Sequence, residues 1–420
     1  MAMDARGRVV AVPLKEFAQW GGGIDFIRLM LQGLLHVPGR RVVALIPRPT
    51  WTRRARAALK RAAHRLVGGK GRGGPDQRIR PEEVRAAIAD FIPRIEARFY
   101  PDSRRGLRAA LRKVGADVAL PCIRPLGSPA PCPWVGYIFD FQHRYLPQLF
   151  TEAERAGRDA AFTRMLAEAR VVICHSESAR RDAERFHPGS AGRIVALPFA
   201  PVPRDEWFGL DPAEARLRHR IPQRYFIVCN QFWVHKDHPT AIRAFAAYLA
   251  RAQAGAEADL VCTGKVDDYR DPAYPATIRA LIAELGLEGR VHLLGHIAKN
   301  DQIALMRGAL AVLQPTWFEG GRGGGAVYDA VALGVPSLMS DLEVNREIED
   351  DSCRFFPKGD PEALAALMEE VAAQAPPRPD QAELVRRAQA RVATLSQALD
   401  QVIAMAGAAT AAPLPPPGVR

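Results

Sequence analysis

The chain has 420 residues, more than one ordinary domain holds and enough for two of about 200 each. Hydrophobic residues make up 48% of it, which supports sizeable cores and excludes a disordered chain. The formal net charge is +12, and the six scattered cysteines (Cys122, Cys132, Cys174, Cys229, Cys262, Cys353) include no CxxC pair, which excludes a disulfide framework or a cysteine metal site and fits a reducing compartment.

The start, MAMDARGRVVAVPL, lacks a signal-peptide core and reads as a first strand. No apolar run reaches the ~20 residues needed to span a bilayer. The expectation is a cytosolic protein, or one held peripherally on the cytosolic face of a membrane. RVVAVPL, RVVALIP, ADVALP, PWVGYIF, RVVICHS and GRIVALP are short apolar runs with little polar alternation, as in parallel strands covered on both faces. Helical composition fills the gaps at Ile24–Leu35, Pro81–Arg98, Ser103–Val114 and Glu152–Glu168. Ser176 or Ser178 suits a helix cap after the fifth of these strands.

Between Arg53 and Arg80 the basic residues concentrate. Over 53–67, Ala58, Leu59, Ala62, Ala63, Leu66 and Val67 recur at helical spacing with arginines and a lysine around them. A basic amphipathic helix fits an anionic membrane surface, and equally a solvated helix face. Nucleic acid is the weaker reading, because no aromatic interleaving or recognised binding module accompanies the charge.

Residues 201–220 are polar and proline-punctuated, a linker. A second series of strands follows in RYFIVCN, ADLVCTG, RVHLLGH, LAVLQPT and PSLMSD, with helical stretches at Pro239–Ala252, Tyr274–Leu285, Asp301–Arg307 and Gly325–Leu333. Pro361–Gln374 and Pro379–Met405 read as closing helices. The alternation predicts two doubly wound α/β domains, 1–200 and 221–378. A helix over 379–406 and a disordered tail over 407–420 complete the chain.

The stretch Gln314–Asp341 carries the chemistry. A buried strand end leads to Glu319, then to a loop with five glycines among the six residues Gly320–Gly325, then to a helix bearing Asp329 that stops at Gly334 with Pro336 beyond. Glycines let backbone N–H groups approach a ligand closely, and the helix start offers positive potential, which together suit a phosphate. The flanking acids would repel phosphate but can accept paired hydrogen bonds from a vicinal diol. Phosphate plus diols points to a nucleotide sugar. Asn230 lies at the end of RYFIVCN, where open α/β sheets bind ligands.

This segment resembles the nucleotide-sugar signature of retaining glycosyltransferases of the GT-B fold, in particular family four. Asp329-Ala330 followed by Gly334-Val335-Pro336 matches its second half. Glu319 matches its first acid, although nine residues intervene where the family has seven, and the second acid is aspartate instead of glutamate. The resemblance implies two Rossmann-like domains facing a central cleft, with Glu319 on the donor-sugar hydroxyls and Asp329 on the ribose. In NQFWVHKDHP, Lys236 matches a lysine that reaches the donor diphosphate, while Gln231 stands where the family has arginine. His235, His238 or Arg322 is then left to compensate. Lys265, and the loop Gly295, His296 and Ile297, correspond to turns near the diphosphate and nucleobase. Gly323, Gly324, Gly325 and Ala326 correspond to the phosphate cradle. In the first half, the turn containing Gly22 and Gly23 fits either a donor- and acceptor-facing loop or a plain strand-to-helix turn. Asp140 keeps the acid of a His-Asp pair common in the family, and His143 fits either a cleft contact or a structural histidine.

The resemblance implies a retaining glycosyltransferase, a hexosyltransferase, that moves a sugar from a nucleotide-diphosphate sugar to a glycan or lipid-linked acceptor in bacterial polysaccharide assembly. Lys236, Glu319 and His143 would be its catalytic residues. No metal or cofactor is expected, because the glycine loop, helix start and lysine take the place of a cation. The last helix is expected to cross back onto the first domain. Alternatives are a nucleotide-sugar epimerase or phosphorolytic enzyme of the same fold, or a non-catalytic scaffold. A nicotinamide-linked dehydrogenase is disfavoured, since no GxGxxG follows the first strand.

Overall fold

A computed structural model describes residues 8–19, 21–49, 80–190, 193–251, 258–266, 268, 270–374 and 377–408. The basic segment 53–67 and residues 409–420 of the expected tail lie outside the described residues.

Seven parallel strands form the first sheet: β1 (Arg8–Pro13), β2 (Arg40–Arg48), β3 (Glu96–Pro101), β4 (Val118–Cys122), β5 (Trp134–Ile138), β6 (Val171–Cys174) and β7 (Ile194–Ala196). Their spatial order is β3-β2-β1-β4-β5-β6-β7. Along β1, Val10 and Val12 face one core while Val9 and Ala11 face another, so both sides of the sheet are covered by helices. Six parallel strands form the second sheet: β8 (Tyr225–Val228), β9 (Asp259–Thr263), β10 (Val291–Gly295), β11 (Val312–Gln314), β12 (Ser337–Ser340) and β13 (Cys353–Phe356). Their order is β10-β9-β8-β11-β12-β13. In each sheet the winding reverses once, between β1 and β4 and between β8 and β11. A crevice opens at such a point beyond the carboxyl ends of the strands. The exits of β8 and β11, which lead into Lys236 and Glu319, are therefore neighbours.

Three elements differ from the sequence reading. The stretch 81–98 is not one helix: Pro81–Ala87 is helical, a single 3₁₀ turn spans Ala89–Phe91, and β3 starts at Glu96. Pro93 removes a helical donor, and β3 is an edge strand with only Tyr100 fully buried, so it carries no apolar run to read. β13, also unread in the sequence, is the matching case on the second sheet, an edge strand whose residues are mostly half-buried. The linker is not extended. It folds into Asp205–Phe208 and Pro212–His219, anchored on the second domain by the buried Trp207, Ala215 and Ile221. Asp211 accepts from the Ala213 N–H at 2.7 Å, with Pro212 in the first helical position.

The final helix, Gln381–Gly407, leaves the second domain and packs on the first. Leu395, Leu399, Val402, Ile403 and Ala406 join the core beneath β1, against helix Gly21–Leu34. Gly33 permits that approach, because a Cβ there would lie 2.7 Å from Leu399 Cδ1. Arg40 pairs with Asp400 at 2.9 Å, and Arg170 donates to the Ala406 and Ala408 carbonyls. Among the described residues no helix is long and apolar enough to cross a membrane.

Leu399 is fully buried at this junction. Leu399→Ala should lower unfolding free energy by about 2–5 kcal/mol through lost transfer energy and a residual cavity. Urea titration measures it, and an unchanged midpoint would mean that the helix does not hold the first domain.

Candidate active site

A cavity of about 540 Å³ lies between the two sheets, lined from both halves of the chain. Lys236, Glu319, Gly324, Gly325 and Asp329 line it from the second half, and Gly22, Asp25, Asp140 and His175 from the first.

Lys236 ends a 3₁₀ turn over Val234–Lys236, and Asp237 follows in the left-handed region at φ 50°. Aspartate tolerates that conformation better than most residues. Asp237 then accepts from the Thr240 hydroxyl at 2.6 Å, securing the helix that follows. The turn aims Lys236 Nζ at Glu319 Oε1, 2.6 Å away. Behind this pair runs a buried amide relay. Asn230 Nδ2 donates to Gln314 Oε1 at 2.8 Å, and Gln314 Nε2 donates to Glu319 Oε1 at 3.0 Å and to the Gly323 carbonyl at 2.9 Å. Asn345 Oδ1 accepts from the Gly323 N–H at 2.9 Å. Gly323 and Gly324 both have φ 67°, so the loop needs glycine there on backbone grounds. The helix Gly324–Ala332 starts beside Glu319, its first N–H groups at the cavity wall.

Asp329 accepts from Lys299 Nζ at 2.5 Å, and the same ammonium lies 3.6 Å from Asp25 of the first half. Burial pushes the Asp329 carboxyl up to about 6 despite the pull of Lys299, so it is ionised at neutral pH and near the edge of its range. His175 and His235, both on the cavity wall, are driven down to about 4 and about 2 by burial first and by neighbouring cations second. Both imidazoles are neutral at pH 7.

Several residues expected at the site stand elsewhere. His143 is buried with Nε2 2.7 Å from Asp159 and its ring beside Phe141 and Phe162, a structural position off the cavity wall. His175 takes the place facing the cleft. Arg322 does not reach toward the phosphate cradle: its guanidinium donates to the His175 and Leu197 carbonyls at 2.8 and 2.9 Å and pairs with Glu347. Glu347 in turn accepts from the N–H groups of Glu177 and Ser178, so a carboxylate of the second half caps a helix of the first. Asn230 works from behind the wall, through Gln314. Gln231, Lys265, Gly295, His296 and Ile297 are not among the residues lining the cavity, nor are Gly23, Gly323 and Ala326. Asp140 lines it but is tied to Arg158 at 2.9 Å. His238 is fully buried against Phe232.

Sequence reasoning missed Lys299, Gln314 and His175 as site residues. Gln314 offered a signal, a polar residue closing an otherwise apolar strand. Lys299 offered only its place at a helix start after the GHI turn.

The glycine loop also serves the contact between halves. A Cβ on Gly320 would stand 2.4 Å from the Phe139 carbonyl oxygen and 2.4 Å from Asp140 Cβ, and one on Gly321 would stand 3.3 Å from His175 Cβ. The Ser176 hydroxyl donates to the Gly320 carbonyl at 3.0 Å while accepting from the Ala179 N–H as a helix cap.

Two parallel-sheet α/β domains facing a cleft, with the last helix crossing back, are the GT-B fold. Among solved structures, the chain is similar to sucrose-phosphate synthase from Thermosynechococcus elongatus (16% identity, TM-score 0.58, 95% of this chain and 96% of that one). It is similar also to HepE from Anabaena, solved with UDP and glucose (14%, TM-score 0.60, 94% and 99%), and to a glycosyltransferase from Rickettsia africae (12%, TM-score 0.57, 95% and 96%). Residues 213–391 match the family described as Glycosyl transferases group 1. No curated protein matches the chain significantly by sequence. Fold and domain match together support a glycosyltransferase.

Because Gly320 admits no Cβ at the contact between halves, Gly320→Ala should cost about 1–3 kcal/mol there by overpacking. The closed-to-open ratio should fall roughly ten- to hundredfold. Small-angle scattering would register this as a larger radius of gyration at an unchanged melting temperature; an unaltered profile would refute the tight contact.

Proposed function

We propose that the protein is a retaining glycosyltransferase that moves a hexosyl group from a nucleotide-diphosphate sugar to a glycan or lipid-linked acceptor, as in bacterial polysaccharide assembly. The observation that carries this reading is the convergence of Lys236, Glu319, the glycine-rich helix start and Asp329 on one cavity between two Rossmann-like domains. The group 1 match over 213–391 and the UDP-glucose bound by the similar Anabaena HepE support a nucleotide-sugar donor.

In this reading the diphosphate lies over the N–H groups of Gly324 and Gly325, with Lys236 beside it. Glu319, steadied by Gln314, accepts from hydroxyls of the transferred sugar, and Asp329 accepts from the ribose diol with Lys299 fixing its carboxylate. The bond between the anomeric carbon and the diphosphate oxygen breaks. The acceptor oxygen bonds to that carbon from the same face, and the acceptor proton passes to the departing phosphate. Negative charge grows on the diphosphate as this happens, and preorganised donors aimed at it supply the largest catalytic contribution. With His175 and His235 neutral, Lys236 is the cation beside Glu319, while Arg28 and Arg204 on the same cavity pair with Asp90 and Asp25. The first domain holds the acceptor, and closure aligns the two reactants.

A panel of nucleotide diphosphates and their sugars tests the reading by thermal shift: a true ligand at 100 times its Kd adds about 2.7 kcal/mol, and no shift with any of them would sink it. Lys236→Ala and Glu319→Ala should each cut transfer by about 10²–10³-fold or more. Each also leaves a buried charge without its partner, so about 3–5 kcal/mol of stability should go as well. The charge-neutral double variant Lys236→Met with Glu319→Gln should recover most of that stability but not the activity. Recovery of both would reassign the pair as structural.

Donor affinity should weaken as pH falls through about 6, because Asp329 takes up a proton there and can no longer accept from both hydroxyls of a diol. The diphosphate of a nucleotide sugar has no group titrating in that range. Isothermal titration at pH 5 and pH 7.5 measures the ratio, and Asp329→Asn should flatten it. An equally steep profile in the variant would place the titrating group elsewhere.

A further inference from the structure

A second cavity, about 760 Å³, adjoins the cleft and shares with it the wall made by Gln32, Val202, Pro203 and Asp205. Its size is that of an ordinary ligand site, about 300–1,000 Å³. It runs between helix Gly21–Leu34, the start of the interdomain segment and the crossing helix Gln381–Gly407. Three parts of the chain distant in sequence therefore build it, and it exists only because the last helix returns to the first domain.

Its lining is specific in chemistry. Amide groups come from Gln32, Gln389 and Gln397, and a hydroxyl from the buried Ser396. Between them lie small aliphatic surfaces from Val202, Val385, Val392 and Ala393. The ionisable lining groups are His36, Asp205 and Asp400, and no lysine or arginine is among the described residues lining it. Three guanidinium groups on the surrounding elements are engaged: Arg40 with Asp400 at 2.9 Å, Arg204 with Asp25 at 3.1 Å and Arg28 with Asp90 at 2.6 Å. Amides and carboxylates can serve hydroxyls as both donors and acceptors. With no lysine or arginine on its described wall, the groove offers no cation to a phosphate, sulfate or uronate, and Asp205 adds a carboxylate that disfavours one.

We infer that this groove is an extended acceptor subsite for an uncharged or amine-bearing oligosaccharide, whose reacting end lies in the cleft and whose preceding units lie along the crossing helix. The inference rests on the reading of the cleft as a sugar-transfer site and goes beyond it by assigning the acceptor's length and charge. An acceptor attached to a lipid pyrophosphate would keep that anion outside the groove, with neutral sugar units inside it.

The test uses the full chain on an array of neutral, amine-bearing, carboxylated, sulfated and phosphorylated oligosaccharides of graded length. Ala393 is exposed and lines the groove, so Ala393→Trp fills it without disturbing the core. Retention on neutral or amine-bearing chains, rising with length and at least tenfold weaker in Ala393→Trp, is the expected result. Should the tryptophan lower the melting temperature, Gln397→Ala takes its place with an expected loss of about threefold, one shared hydrogen bond's worth. Retention confined to anionic chains, retention independent of length, binding equal in variant and wild type, or no retention at all would each overturn the subsite. Nucleotide thermal shifts are expected to be the same in wild type and Ala393→Trp. Their absence from both would sink the donor reading, whereas a failed array with intact shifts would sink the groove alone.

Discussion

The contact between Gly320 and the Phe139–Asp140 backbone is the constraint on which the rest of the cleft depends. It holds the exit of β11 against the exit of β5, so acid and lysine from one sheet and Asp140 and His175 from the other face a single space. The clamp around it is polar and directional. Arg322 spans to two carbonyls of the first half, and Glu347 caps the helix Glu177–Phe186 with both its oxygens. Apolar contacts accompany them: Phe199 packs against Tyr328 and the cluster of Val327, Val331, Met339 and Ile348, and Tyr145 meets Phe318. The halves therefore meet at two places, an apolar seam at Leu395–Ala406 and a mixed polar and apolar contact at the glycine loop. On the proposed function, the second is the contact that would part to admit a nucleotide sugar.

Much of the fold was legible because eleven of the thirteen strands are apolar runs, and the period of such runs changes sharply at each helix. The two that escaped, β3 and β13, are edge strands with a single buried residue each, so little apolar pattern marks them; the other two edges, β7 and β10, kept an apolar run. The folding of the linker onto the second domain escaped for a related reason: a single tryptophan and two small anchors hold it, too few to make a periodic signal. At the site, glycine density and spaced acids were visible, but partners were not. Arg322 sits inside the loop and looked like a phosphate ligand. Its direction is fixed by carbonyls of His175 and Leu197, more than a hundred residues away in sequence. His143 had the right distance from a strand end and the wrong side of the chain, because the short helix Gln142–Tyr145 turns its ring toward Phe141 and Phe162. One-dimensional spacing cannot report such turns.

The charges of the cleft are matched in pairs: Lys236 with Glu319, Lys299 with Asp329, Arg158 with Asp140. Each acid has low exposure, and an unpaired ion there would be costly. A ligand with a diphosphate at one point and diols at two others can exchange these pairings without leaving a charge alone. The ammonium of Lys236 can turn from carboxylate to phosphate while Glu319 turns to hydroxyls. Gln314, bonded to both Glu319 and the Gly323 carbonyl, is placed to hold Glu319 during such an exchange. Selectivity follows from the same arrangement. A ligand with phosphate but no diol would strip Lys236 from Glu319 and offer nothing in return.

The glutamine at position 231 fits this picture better than an added cation would. It is exposed and outside the cavity wall, so the strand exit brings no second positive charge to Lys236. The neighbouring imidazole of His235 is kept neutral by burial and by Lys236 and Arg270, and Arg270 itself is occupied by Asp268 at 3.1 Å. On the proposed function, one lysine and one helix terminus would then share the diphosphate. A lysine that leaves Glu319 for the diphosphate as charge builds would act on bond breaking, whereas a fixed pair of cations would bind the resting diphosphate as strongly as the breaking one. Interactions that strengthen only toward the transition state raise turnover, and those present throughout raise affinity alone. Arg322 and Arg270 instead sit in contacts between the halves, Arg322 on the His175 and Leu197 carbonyls and Arg270 against Gln142, while Lys236 is the cation that the proposed function places at the reacting bond.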